Sequence, residues 1–71
     1  MKIAYPVLVG KIAERGIRKT AIADRIGVYR STLSAKLSGE RPFTFQEAVT
    51  IKQAFFPDIS LEELFSPPVG N

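Results

Sequence analysis

Between Lys19 and Leu37 two short apolar-periodic segments stand on either side of one glycine, and that spacing constrains the fold more than any other feature of the chain. Ala23 falls midway along the first segment, small enough to let a second helix cross closely. Gly27 follows one turn later, where a chain leaving a helix passes through positive φ without steric cost to glycine. Val28 returns to the apolar side, and Leu33 and Leu37, four residues apart, give the second segment an apolar stripe. The other side of that segment offers Arg30, Ser31, Thr32, Ser34, Ala35 and Ser38. These short or cationic side chains suit close approach to a nucleic-acid groove better than packing on an apolar partner. The spacing predicts two short helices joined by a tight turn.

Further helical patterns flank this pair. Tyr5, Leu8, Val9, Ile12 and Ala13 recur at helical spacing from Pro6, well placed at a helix start, to Arg15, with Gly16 as the stop. The second helix is expected over Lys19–Ile26, with Ile17 and Ile22 as a hydrophobic staple across its entry. The third is expected over Arg30–Ser38, closed by Gly39. Thr44-Phe45-Gln46-Glu47 reads as a capping box opening a fourth helix, which Pro57 ends. Ser60-Leu61-Glu62-Glu63 reads as a second capping box before a short fifth helix, stopped by Pro67-Pro68. The fold class predicted is all-α, five helices in a single domain over residues 1–66, with 67–71 as a disordered tail. Seventy-one residues allow no more than one domain, and a chain this short buries only roughly 60% of its unfolded surface. Leu8, Ile12, Ile22, Ile26, Val28, Leu33, Leu37, Val49, Ile51, Leu61 and Leu64 are the expected core. Phe45 and Phe55 are expected to be buried, and Phe43, Phe56 and Phe65 to lie at its margin or on a partner surface.

The order Ala23-x-x-x-Gly27-x-x-x-x-x-Leu33 has Tyr5-Pro6-Val7-Leu8 ahead of it. Gly39-Glu40-Arg41-Pro42-Phe43-Thr44 and Ile59-Ser60-Leu61-Glu62-Glu63-Leu64-Phe65 follow. Together these segments resemble the Cro and phage-repressor (XRE-like) helix-turn-helix family over most of the chain. The resemblance implies a compact lambda-repressor-like domain with its helix-turn-helix over about residues 18–38. It also implies operator binding by a transcriptional regulator, similar to repressors of prophages and mobile elements. The chain departs from the family pattern at three places. Arg18 stands where a capping Ser or Thr is usual, Lys19 replaces a common Gln, and Lys36 lies where older members bury an apolar side chain, a role Leu37 is placed to take over.

A recognition helix lies in the major groove with its N-terminal residues nearest the base edges. Arg30 then has the forked donors to bond guanine O6 and N7 together, whereas Ser31 suits several bases. Ala35, one turn on, is expected to touch a thymine methyl. Thr32 and Ser34 flank that line, and Tyr29 at the entry is expected to meet a phosphate or a base edge. Arg18, Lys19 and Thr20 open the second helix, where free N–H groups and the positive end of the helix dipole favour a phosphate. Arg41 is expected to hold the opposite strand's backbone, with Lys36 snorkelling toward the same phosphates. Such contacts fix register rather than sequence. The plainer alternative is an imperfectly capped helix with solvated cations.

Charge placement agrees with a polyanionic partner. Nine of the ten Lys and Arg lie at or before Arg41 beside three acids, whereas four of the seven acids lie beyond it with Lys52 alone. A basic half with an acidic half behind it orients a domain in a polyanion's field. With no histidine or cysteine, disulfides, thiolate–zinc sites, thiol nucleophiles and imidazole acid–base chemistry are excluded. No Gly-rich phosphate loop, metal-ligand cluster or nucleophile–base pair is present, so neither enzymatic activity nor a cofactor, metal or small-molecule substrate is expected. Pro6 and Lys11 interrupt the apolar lean of residues 1–10 well short of a membrane span, and a soluble cytoplasmic protein is expected.

One recognition helix covers only a few base pairs. A homodimer on a pseudo-palindromic stretch of double-stranded DNA is therefore expected, joined around Phe55-Phe56-Pro57-Asp58-Ile59 and Phe65, the alternative being that these residues finish the core. The competing reading is a protein-binding module that keeps this fold without operator binding, antitoxin-like or an assembly adaptor. It predicts apolar residues on the outer face of the Arg30–Ser38 helix, where Ser31, Ser34, Ala35 and Ser38 stand instead.

Overall fold

The computed structural model describes residues 3–67, which form five helices: α1 (Pro6–Glu14), α2 (Lys19–Ile26), α3 (Arg30–Ser38), α4 (Phe45–Phe55) and α5 (Leu61–Leu64). The expected tail lies, from residue 68 onward, outside the described residues. No strand occurs among the described residues, and no helix in them is long and apolar enough to cross a membrane.

Each helix boundary has a local chemical cause. Pro6 takes the first position of α1, where its missing N–H is not needed. After α2, Gly27 (φ 75°) donates its N–H to Asp24 O at 3.3 Å and Val28 donates to Ala23 O at 3.0 Å. After α3, Gly39 (φ 91°) donates to Lys36 O and Glu40 to Ala35 O, at 3.2 and 2.9 Å. This two-bond closure satisfies carbonyls that a helix end otherwise leaves unpaired, and its left-handed residue favours glycine. At α4, Thr44 Oγ1 accepts from the Glu47 N–H (3.1 Å) while the Thr44 N–H donates to Glu47 Oε1 (3.0 Å), a complete capping box. At α5 only half of the expected box forms, with Ser60 Oγ accepting from the Glu63 N–H.

Packing follows from these boundaries. α2 lies against α3 and α4, and α5 against α4 and α1. Leu8 and Ile12, Ile22 and Ala23, Leu33 and Leu37, Ile51, Phe56, Ile59 and Leu64 form one buried cluster. The staple residues Ile17 and Ile22 both join it. Ile26 and Val28 are half-buried against it rather than inside it, and Val49 and Leu61 are half-buried outside it. Tyr5, Phe43 and Phe65 meet edge to face at one end of the cluster, with ring centroids 5.3–5.5 Å apart, a favoured arrangement for aromatic quadrupoles.

Two phenylalanines reverse the sequence expectation. Phe45 is 77% exposed and Phe56 is fully buried. Phe45 is the first residue of α4, about a quarter-turn off the line of Ala48 and Ile51 that faces the core. Phe56 follows the last helical residue, and its non-helical backbone (φ −137°, ψ 56°) turns the ring inward. Phe55 and Phe65 are half-buried against the cluster, and Ile59 is buried. Of the residues expected to join two copies, Phe56 and Ile59 are thus buried within the chain, while Phe55 and Phe65 keep part of their surface exposed.

Candidate nucleic-acid interface

α2 begins without a side-chain cap. Arg18 precedes it in extended conformation (φ −79°, ψ 136°), and no hydroxyl or carboxylate accepts from the first turn. The leading N–H groups of a helix have no intrahelical partner, so this end presents donors and the positive end of the helix dipole together. Arg18, Lys19 and Thr20 surround it. α2 packs on α3, with Ala23 buried in the core, and Arg30 and Ser34 of α3 come to the same place. Arg18, Lys19, Thr20, Arg30 and Ser34 line one open cleft of about 630 Å³.

A second groove, about 440 Å³, runs alongside. Lys19 and Ser34 line it too, joined by Ser31, Ala35, Leu37 and Ser38 of α3, by Ile3 and Val9, and by one acid, Glu40. The two recesses therefore share a wall and form a continuous surface. On α3, small side chains at Ser31, Ser34, Ala35 and Ser38 lie between Arg30 and the largely buried Leu37, so the helix backbone can be approached closely there. Ser38 Oγ donates to Ala35 O at 3.0 Å, which turns that hydroxyl back onto its own helix. The ion pairs formed among the described residues are Lys11–Glu14, Arg15–Asp58 and Lys36–Glu47, so Arg18, Lys19 and Arg30 face this surface without an acidic partner.

Seven of the residues singled out from sequence are thereby gathered: Arg18, Lys19, Thr20, Arg30, Ser31, Ser34 and Ala35. Ala35 is half-buried, at the edge of the surface rather than proud of it. Three stand apart from both recesses. Tyr29, 83% exposed, marks the entry to α3; Thr32 is half-buried on the helix flank; and Arg41 is exposed on the connection to α4. Ile3 and Val9 carried no sequence signal for this surface, because only the folding of the segment before α1 onto α3 brings Ile3 there. Ala4 N–H donates to Leu37 O at 3.2 Å to hold that segment.

Lys36 corrects the sequence reading. It does not reach outward to phosphates; it is 8% exposed and points into the domain. Its Nζ donates to Glu47 Oε1 at 2.8 Å and to Pro42 O at 3.0 Å, with the Phe43 ring centroid 5.8 Å away. The cause is helical phase, because residue 36 follows Leu33 by three and adjoins Leu37 on the buried side of α3. Burial works against charge on Glu47, but hydrogen bonds from Lys36 and from the Thr44 amide outweigh it and hold the carboxyl below its ordinary range. No family model, curated protein or solved structure matches this chain.

Proposed function

We propose that this domain binds double-stranded DNA, with the outer face of α3 in the major groove and the start of α2 against a phosphate, and that it regulates transcription by occupying an operator. One observation carries the reading. The uncapped start of α2 and three cations with no acidic partner open onto the same surface as the small polar face of α3. A phosphate there completes the first turn of α2 and sits beside Lys19. Arg30, at the first position of α3, then has the reach to read a guanine, and Ser31 and Ala35 follow it along the groove. A single α3 spans few base pairs, so two copies on half-sites about 34 Å apart supply the discrimination an operator requires.

The protein-binding alternative calls for an apolar outer face on α3. Ser31 and Ser34 are exposed there; of the large exposed apolar side chains among the described residues, Tyr29 and Phe45 sit at helix starts and Ile3 alone lines the groove. The experiment is selection of bound duplexes from a random library, followed by affinity measurements across a range of salt. The expected result is an enriched sequence with two-fold symmetry and an affinity that falls steeply with salt, by a slope of about 0.9 per phosphate contacted. Failure to enrich any duplex, with salt-insensitive capture of protein partners instead, overturns the reading.

A further inference from the structure

Lys36 is the only charged side chain buried among the described residues, and the DNA reading leaves it without a task. Its partners lie on the two segments that follow α3: Pro42 O on the connection and Glu47 Oε1 on the first turn of α4. The same Glu47 oxygen accepts the Thr44 N–H. One carboxylate oxygen thus joins an ammonium on α3 to the cap of α4. The near end of the connection is tied to α3 separately, because Glu40 and Arg41 both donate their N–H to Ala35 O, at 2.9 and 3.3 Å. Arg41 stands between these two anchorages with its side chain exposed and without an acidic partner among the described residues.

We propose that Lys36 is a positioning residue: through Pro42 and Glu47 it fixes the Gly39–Thr44 connection, and Arg41 on it, at a set offset from the outer face of α3. What Arg41 then touches rests on the DNA reading; the fixing itself does not. Stability alone does not account for a lysine here. A buried ion pair loses much of its Coulombic gain to desolvation, and an apolar side chain of similar volume holds a core at least as well. What an apolar side chain lacks is direction. Two charge-assisted hydrogen bonds to acceptors on separate segments specify one arrangement, whereas contacts of a leucine or methionine permit several. No buried side-chain polar atom among the described residues is left unpaired, so the arrangement is fully satisfied as it stands.

Lys36→Met with Glu47→Gln tests this, because the amide retains an acceptor for Thr44 and no buried carboxylate is left alone. In the free protein the double variant should melt at or above the parent's midpoint. The amides of Arg41 and Thr44 should nevertheless exchange about tenfold faster relative to those of Leu33 and Leu37. With the duplex that the parent enriches from a random library, affinity should drop about three- to tenfold, the usual coupling within one network. The same pair of changes should cost nothing further in an Arg41→Ala background. Unchanged exchange at Arg41 and Thr44 overturns the proposal, as does an equal loss of affinity in both backgrounds, which would make Lys36 a direct contact. If the parent enriches no duplex, the DNA reading fails and the exchange measurement alone decides the role of Lys36.

Discussion

Arg15 grips Asp58 through both carboxylate oxygens, at 3.0 and 2.7 Å, and so ties the end of α1 to the turn between α4 and α5. The guanidinium also lies 5.2 Å from the ring centroid of Phe56, over the largest fully buried side chain. The hydrogen bonds from Arg15, aided by the backbone amide of Asp58, bring that carboxyl down to about 2. A carboxyl lowered in the folded state contributes its stability fully above its unfolded pKa, about 3.9 for Asp, and loses it as pH falls through the folded value. Glu47 is lowered as well and acts in the same direction. The melting midpoint should therefore fall as pH drops from about 5 to about 2, and Asp58→Asn should flatten that fall. A variant profile as steep as the parent's would remove this pair from the acid response.

Arg30 and the phosphate-facing cations should separate in a DNA assay. Arg30→Ala is expected to weaken the selected site by about 1–3 kcal/mol and relax preference at one base position. Neutralising Lys19 or Arg41 should weaken every sequence alike and lower the salt slope by about one unit each. Equal loss on selected and random duplexes would reduce Arg30 to a phosphate contact.

Gly27 and Gly39 share a left-handed backbone but differ in their surroundings. A Cβ built at Gly27 meets no atom within 4 Å, so substitution there costs conformational energy alone, roughly 1–2 kcal/mol. A Cβ at Gly39 stands 3.0 Å from the Ala4 Cβ in addition. Gly39→Ala should consequently lower the melting midpoint further than Gly27→Ala, on a scale of about 4–8 °C per kcal/mol for a domain this size, and Ala4→Gly should restore part of the difference. Equal midpoints would show that the segment before α1 yields freely.

Phe56→Ala should cost about 3–5 kcal/mol, enough to leave much of a small domain unfolded, while Phe45→Ala should stay within about 0.5 kcal/mol of the parent. Urea unfolding checks both. A marginal loss at Phe56 would mean that the ring's site collapses easily around the gap.

The contrast between these two rings shows where sequence reasoning stops. Helix limits were legible because they are written locally, in Pro6, Gly27, Gly39, the Thr44–Glu47 pair and Pro57, and the α2 and α3 limits fall where spacing put them. Burial is not local. Phe45 lies on a helix and Phe56 just beyond one, so helical periodicity favoured the wrong ring. Lys36 shows the same limit at the candidate site. Its phase beside Leu33 and Leu37 was visible in the sequence, but the carboxylate that lets a lysine occupy that phase lies on another helix. The grouping of Arg18, Lys19, Thr20 and Arg30 was readable because the packing of α2 on α3, two helices adjacent in sequence, is enough to produce it.

The edge-to-face trio of Tyr5, Phe43 and Phe65 bears on how the chain is made. Its rings come from ahead of α1, from the connection between α3 and α4, and from just past α5. Leu64, fully buried, comes equally late in the chain. α1 to α3 are helices of eight or nine residues, too short to hold without tertiary packing. The hydrophobic interior that supports them stays open on one side until the last turn of α5 is outside the ribosome's exit tunnel. The surface formed by α2 and α3 therefore rests on a finished domain only after residues as late in sequence as Leu64 and Phe65 have joined the core.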